Sequence, residues 1–303
     1  MRKPSPSRGL ILLVLLAAST PTSSAEANAW TRERGSFYAE LRYATVSAAA
    51  FYGPDFSRLD LGSRYTQHSA GLYVEVGVLD RWLTVVLDST LYRRASLADQ
   101  GYAEGLGDLR LGFWSGLLRS PFHLSAGLMI GVPTGDPRPS APSPAAQLVA
   151  NSLPTGDGEL DVELAVAAGT SFGRWRFWPL EHYALARVGY WLRTSPRSVA
   201  FGSAEDFPDA INWQAELGTR LPSWPVVDRL WLVLRVYGTE SFAGPESAAF
   251  SGLGGGVTHR SYSLGLRVRI WRGLAVAFSA AGAFSARNLP AGAYYTTSLS
   301  FER

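Results

Sequence analysis

The sequence predicts an all-β chain that crosses a membrane as a closed, antiparallel up-and-down β-barrel of 12 strands. Three observations carry this prediction. Apolar and polar residues alternate with period two from Ser36 to Phe301. The connections between the alternating segments switch regularly between short and long. An export leader precedes a body that has no cysteine. Strict period two marks a strand with one apolar and one wet face. A short/long alternation of connections is the habit of barrels with short turns on one side of a membrane and long loops on the other.

The leader is read first. Met1 to Arg8 is basic through Arg2, Lys3 and Arg8, and Gly9 to Ala18 is continuously apolar. Ala27-Asn28-Ala29 fits an A-x-A cleavage site, with cleavage after Ala25 as the rival, so residues 1–29 read as a secretory signal peptide and 30–303 as the barrel. The apolar run is too short for a spanning helix, which needs about 20 residues, and no later run reaches that length. Loss of Arg2, Lys3, Arg8 and Glu26 lowers the net charge from +3 to +1, which gives no support to nucleic-acid binding. The absence of Cys excludes disulfides, thiolate metal sites and cysteine nucleophiles, and four His make a His-based metal site improbable; no cofactor is expected.

Each strand core has its own pattern. In 36–46, Phe37 and Leu41 oppose Glu40 and Arg42. In 66–78, Ala70, Leu72, Val74 and Val76 oppose Gln67, Ser69, Tyr73 and Glu75. In 83–92, Val85 and Leu87 oppose Asp88 and, by parity, Tyr92. In 107–117, Leu109, Leu111 and Phe113 oppose Asp108 and Arg110. In 122–132, Leu124, Leu128 and Ile130 form one face. In 159–169, Val162, Leu164 and Val166 oppose Asp161 and Glu163. Segment 182–193 carries Arg187, Trp191 and Arg193 on one face. In 211–221, Leu217 opposes Glu216 and Arg220. In 230–240, Leu232 and Leu234 oppose Trp231, Arg235 and Tyr237. In 260–270, Leu264, Leu266 and Val268 oppose Arg267 and Arg269. Segments 274–284 and 293–301 complete the set, the last carrying Tyr295, Leu299 and Phe301 in alternation. The long connections are then 47–65, 93–106, 133–158, 194–210, 241–259 and 285–292. The short ones are 79–82, 118–121, 170–181, 222–229 and 271–273.

The apolar face is assigned to lipid and the charged face to the lumen. An Arg facing mid-bilayer costs about 2–4 kcal/mol, so the sorting is under strong physical pressure. Lumen-lining candidates are Glu40, Arg42, Glu75, Asp88, Asp108, Arg110, Asp161, Glu163, Arg187, Arg193, Glu216, Arg220, Arg235, Arg267 and Arg269; aromatic lumen candidates are Tyr73, Tyr92, Trp191, Trp231 and Tyr237. Eight inward Arg against seven acids favours a network of ion pairs, with a cationic constriction and modest anion preference as the second reading. Seven of ten Trp (Trp82, Trp114, Trp175, Trp178, Trp224, Trp231, Trp271) lie near short connections, the pattern of an interfacial aromatic girdle. An even strand count puts both termini and this girdle on the periplasmic side.

Four motifs occur in order: Leu79-Asp80-Arg81-Trp82-Leu83, Gly105-Leu106-Gly107-Asp108-Leu109-Arg110-Leu111-Gly112, Pro133-Thr134-Gly135-Asp136, and Asp157-Gly158-Glu159-Leu160-Asp161-Val162-Glu163-Leu164. Together they resemble a large family of outer-membrane transporters linked by name to the meta pathway of phenol degradation. The likeness covers most of Leu72 to Gly189. This chain departs from the pattern at a second Pro-Thr-Gly-Asp, Pro154 to Asp157, and in the proline-rich insert between the two copies. The resemblance implies a porin-like barrel and the passage of small, aromatic or hydrophobic compounds.

Pro-Thr-Gly-Asp is first of all a β-turn sequence. A Ca²⁺ site built on Asp157, Glu159 and Asp161 is the weaker reading. His123-Leu124-Ser125 resembles the His-x-Ser pair of outer-membrane phospholipases, but parity turns His123 and Ser125 inward, away from lipid. The readings in order are therefore a channel for small molecules, a lipid hydrolase, and a plugged barrel serving as a structural or adhesion anchor. The expected partners are outer-membrane lipids, the barrel-assembly machinery during insertion and a small-molecule solute, with no nucleic acid.

Overall fold

The computed structural model describes residues 29–98, 100–120, 122–137, 153–173, 180–194, 208–222, 229–242 and 256–303. The strands are β1 (Phe37–Tyr52), β2 (Arg58–Leu79), β3 (Leu83–Leu97), β4 (Gly101–Gly105), β5 (Leu109–Arg119), β6 (His123–Val132), β7 (Leu160–Phe172), β8 (His182–Thr194), β9 (Ala210–Leu221), β10 (Arg229–Ser241), β11 (Thr258–Trp271), β12 (Leu274–Arg287), β13 (Leu289–Pro290) and β14 (Ala293–Glu302). Every pairing is antiparallel, and β1 pairs with both β2 and β14, which closes the sheet. β4 and β5 both pair with β3 and form one stave broken at 106–108; β13 caps the tip of β1 and continues into β14. The result is a closed antiparallel barrel of 12 staves.

Side-chain parity follows the alternation. Leu41, Leu164, Leu217, Leu234, Leu264, Leu266 and Leu299 are exposed on the outer surface, while Glu40, Glu75, Asp161, Glu163 and Arg187 are buried inside. The arrangement is inside-out relative to a water-soluble barrel, as lipid requires.

Three expectations are corrected. The first concerns loops. Segments 47–65 and 93–106 are strands for most of their length: β1 and β2 stay paired out to Tyr52 and Arg58, and Arg93–Leu97 pairs with Gly101–Gly105. Only a tight turn at 53–57 separates β1 from β2, closed by Gly53 N–H to Ser57 O at 2.8 Å and by Asp55 Oδ1 accepting the Ser57 N–H at 3.0 Å. Inward residues that are small or aromatic hold this extension together: Val46, Ala48, Tyr65, Ala95, Leu97 and Ala103 bury against Leu153 and Tyr294. Alanine and tyrosine make a weak alternation in sequence, which is why these stretches read as loop.

The second concerns Tyr92. A β-bulge lies between the pairs Ala70/Tyr92 and Gly71/Thr90, leaving Leu91 unpaired. One extra residue flips every later side chain. Arg93 therefore points inward and is buried, while Tyr92 is 40% exposed on the outside with its hydroxyl donating to Glu104 at 2.9 Å.

The third concerns the tryptophans. Trp82 and Trp271 are exposed beside short turns. Trp114, by contrast, is 1% exposed and shares the inward face of Arg110, and Trp231 also points inward. Trp175, Trp178 and Trp224, the proline-rich insert, and the connections 174–179, 195–207, 223–228 and 243–255 fall outside the described residues.

The short turns use left-handed backbone at Arg81 (φ 62°) and Gly273 (φ 77°). They define the short-turn end of the barrel, opposite the long-loop end that carries the β1–β2 extension.

Candidate functional site: the lumen

The lumen is filled on one side and open on the other. On the β2–β8 side, Tyr73, Val86, Trp114, Met129, Ala165, Ala167 and Leu185 form a packed cluster. Large and small inward residues face one another across the ladder. A Cβ on Gly112 would lie 2.1 Å from Met129 Sδ, and one on Gly127 would lie 2.3 Å from Trp114 Cδ2. Glycine at these positions gives the Trp and Met side chains room to lie flat.

Charge is threaded through this packing as ion pairs. The Glu163 side chain is 1% exposed and accepts from Arg110 Nη2 at 2.5 Å and from Arg187 Nη2 at 2.9 Å. Arg187 lies 5.6 Å from the Trp114 ring centroid. Arg42 pairs with Asp88 and lies 5.6 Å over the Tyr73 ring. Buried carboxylates and guanidinium groups are tolerable only in such mutual company.

On the β11–β14 side several inward residues are small: Ser263, Gly265, Ala277, Ser279, Ser298 and Ser300. Their size leaves a chamber of about 670 Å³ running from the short-turn end to mid-barrel. Glu216 on its wall accepts from Arg235 Nε at 2.7 Å and from the Tyr183 hydroxyl at 2.6 Å. Arg220 pairs with Glu181 at 2.8 Å. Tyr183 and Trp231 meet at a tilt, with centroids 5.5 Å apart. Arg267 reaches toward Ser300 Oγ at 3.5 Å, and Arg269 lies one inward position nearer the turn, with Ala275 as its ladder partner. Glu40 is buried on β1 and accepts from the Tyr38 hydroxyl.

The short-turn end is crossed by residues 29–35, which the alternation did not flag. Ala29 is buried, and the Trp30 ring sits 5.5 Å from His123 and 6.1 Å from Tyr183, on the β6–β8 side. The chain then runs across the mouth to β1. Thr31 Oγ1 donates to Arg81 O at 2.7 Å, and Arg32 N–H donates to Thr84 Oγ1 at 2.8 Å. The Arg32 guanidinium joins Glu75 and Glu302, both at 2.6 Å, and so ties the segment to β2 and β14. An Arg outside any periodic segment carries no sequence signal for this; Glu75 and Glu302 are its partners only because the barrel closes.

At the long-loop end, the two Pro-Thr-Gly-Asp copies pair with one another. Asp136 N–H donates to Thr155 Oγ1 and Thr155 N–H to Asp136 O, each at 2.9 Å. Asp108, in the break between β4 and β5, locks both copies: its carboxylate accepts from Gly135 N–H and Asp157 N–H, each at 3.0 Å. Asp157, Glu159 and Asp161 bring one oxygen each within 4.8 Å of the others. Arg193 stands where a cation would, at 2.9 Å from Asp157, 3.0 Å from Glu159 and 3.8 Å from Asp161, and lies 4.7 Å over the Trp191 ring. Sequence parity put Gln67 on the polar face but missed its partners Tyr65 and Arg93, which donate to Gln67 Oε1 at 2.6 and 2.8 Å above mid-barrel. Tyr237 meets His259 edge-on at 5.8 Å on the inward face of β10 and β11. Ser125 is wholly buried on the inward face of β6.

No family model and no curated protein sequence matches the chain. Among solved structures, it is similar to an outer membrane channel from Pseudomonas putida F1, with a TM-score of 0.61 at 13% identity, covering 91% of this chain and 98% of that one. It is also similar to the NanC porin, with a TM-score of 0.48 at 7% identity over 87% of this chain and 98% of that one. The β domain of the Bordetella autotransporter BrkA gives 0.46 at 11% identity over 89% of this chain and 100% of that one. The first likeness bears on the fold alone: this chain is a closed antiparallel β-barrel, similar in architecture to that channel.

Proposed function

We propose that the protein is an outer-membrane channel for passive or weakly selective passage of small molecules, with its short-turn end in the periplasm and an N-terminal export leader. The chamber of about 670 Å³ inside the barrel carries this reading, because a plugged structural anchor has no reason to leave such a space beside a densely packed half. The resemblance to transporters associated with phenol degradation, and the aromatic wall of Trp30, Tyr183 and Trp231, favour solutes with a flat or apolar body. Arg110 and Arg235 are both neutralised by glutamates, so any anion preference falls to Arg267 and Arg269. We read the chain as non-enzymatic, since the hydrolase reading needs His123 and Ser125 on the lipid face.

Single-channel recording in planar bilayers tests the proposal. Purified folded protein is expected to give discrete conductance steps, and Arg32→Ala, which unfastens the segment across the short-turn mouth, is expected to enlarge them. A folded protein that conducts nothing, yet cleaves phospholipid in a manner abolished by Ser125→Ala, would overturn it.

A further inference from the structure

We propose that the chamber is a binding site for a small zwitterion, one ammonium and one carboxylate on a compact apolar body, held between Glu40 and Arg267; the proposal rests on the channel reading and names its solute. Glu40 is 6% exposed, and its carboxylate accepts from the Tyr38 hydroxyl. Among the described residues no cationic nitrogen lies within 4.0 Å of it. Arg267 is in the complementary position: among the described residues no carboxylate oxygen lies within 4.0 Å of its guanidinium, whose contacts are Ser300 Oγ at 3.5 Å and the Tyr38 ring at 5.7 Å.

The ladder shows how close these two charges come. Arg267 starts on β11 opposite Ala277, yet its side chain crosses β12 and ends beside Ser300 on β14. Ser300 is the ladder partner of Glu40. Ladder partners have Cα atoms about 5 Å apart. Opposite charges therefore face each other over Tyr38 and Ser300, across a gap too wide for a direct ion pair and narrow enough for one small molecule to bridge. Glu40 is buried and Arg267 half-buried, Glu302 being the carboxylate that Arg267 feels at longer range, and a buried charge with no ion-pair partner in contact is costly. A simple anion would relieve Arg267 and leave Glu40 as it is, and a simple cation would do the reverse. A zwitterion relieves both. Small residues such as Ser298, Ala277 and Ser279 clear the floor between the two groups, and Tyr183 and Trp231 offer a wall for the apolar body. An α-amino acid with an aromatic or aliphatic side chain has this chemistry and fits a space of about 670 Å³.

Isothermal titration of the folded, detergent-solubilised protein tests this with three probes: L-phenylalanine, its amide (cation only) and its N-acetyl derivative (anion only). Phenylalanine is expected to bind saturably, and each derivative at least about tenfold more weakly, the worth of one charge-assisted hydrogen bond. Glu40→Gln is expected to weaken phenylalanine by a similar factor while leaving N-acetylphenylalanine unchanged; Arg267→Gln is expected to do the same with respect to the amide. Equal binding of all three probes, absence of saturable phenylalanine binding, or variants that bind phenylalanine as well as the native chain would overturn the proposal. Should either variant fail to fold, the three-probe series on the native chain decides alone. Conductance without binding would sink this inference and spare the channel, and binding without conductance would do the opposite.

Discussion

Glu163→Gln replaces the most enclosed carboxylate of the lumen with its neutral isostere. The native side chain is 1% exposed and holds two guanidinium groups, Arg110 at 22% and Arg187 at 7% exposure. Glutamine keeps one acceptor oxygen and turns the other position into a donor that faces an N–H. At least one charge-assisted hydrogen bond is lost, worth about 1.5–3 kcal/mol, and Arg187 loses the carboxylate it meets at 2.9 Å. Breaking a buried pair from one side costs about 3–5 kcal/mol. Arg110 is exposed enough to turn toward lumen water, so its share is discounted and the expected loss is about 3 kcal/mol. The barrel should still assemble, because the outer face is untouched. The assay is denaturant unfolding of the protein in lipid vesicles, followed by heat-modifiable migration on gels. Glu163→Gln combined with Arg187→Gln should recover about 1–2 kcal/mol, since removing the buried cation removes its desolvation penalty. A single variant within about 0.5 kcal/mol of native, or a double variant that merely adds two losses, would refute the coupling.

Three further outcomes are expected. Leu164→Arg, one residue away and 62% exposed on the outer face, puts a charge into lipid at about 2–4 kcal/mol and should abolish the heat-modifiable folded band; native-like migration would contradict the face assignment. Gly127→Val drives a Cβ to 2.3 Å from Trp114 and should cost about 1–3 kcal/mol in the same unfolding assay, relieved by Trp114→Leu. Because the chain has no cysteine, Ser57→Cys and Arg272→Cys can be labelled singly; Ser57→Cys should react on intact cells and Arg272→Cys only after the outer membrane is permeabilised, and the opposite pattern would invert the orientation.

Sequence parity was a good guide wherever a strand ran without interruption. Asp161 and Glu163 on β7, and Arg235 on β10, fall on the inward face because alternation is a local property of the backbone. Parity failed at Tyr92, where one bulged residue reverses the face, and nothing in Leu91-Tyr92-Arg93-Arg94 announces a bulge. It also failed where inward residues are alanines, as in Ala48, Ala95 and Ala103, since their burial is decided by neighbours and not by hydropathy. The chamber was invisible for a related reason. Ser298, Ser300 and Ala277 are unremarkable singly, and only the register of β12 and β14 sets them side by side beneath Arg267. Which arginine pairs with which carboxylate was equally closed to sequence: Arg32 and Glu302 are separated by 270 residues.

That long separation belongs to the seam where β1 meets β14, and the chamber abuts it: Tyr38 and Glu40 stand on one side, Ser298 and Ser300 on the other. The seam joins the two ends of the chain, so it carries the largest loop-closure cost of any pairing in the barrel. A half-built sheet has neither wall opposite the other and therefore has no chamber at all. Completion of the barrel and creation of its internal site are thus one event. Any population of unclosed barrels would be inert toward solutes, and a chemical that recognises the chamber would report, molecule by molecule, on how many barrels have finished assembling.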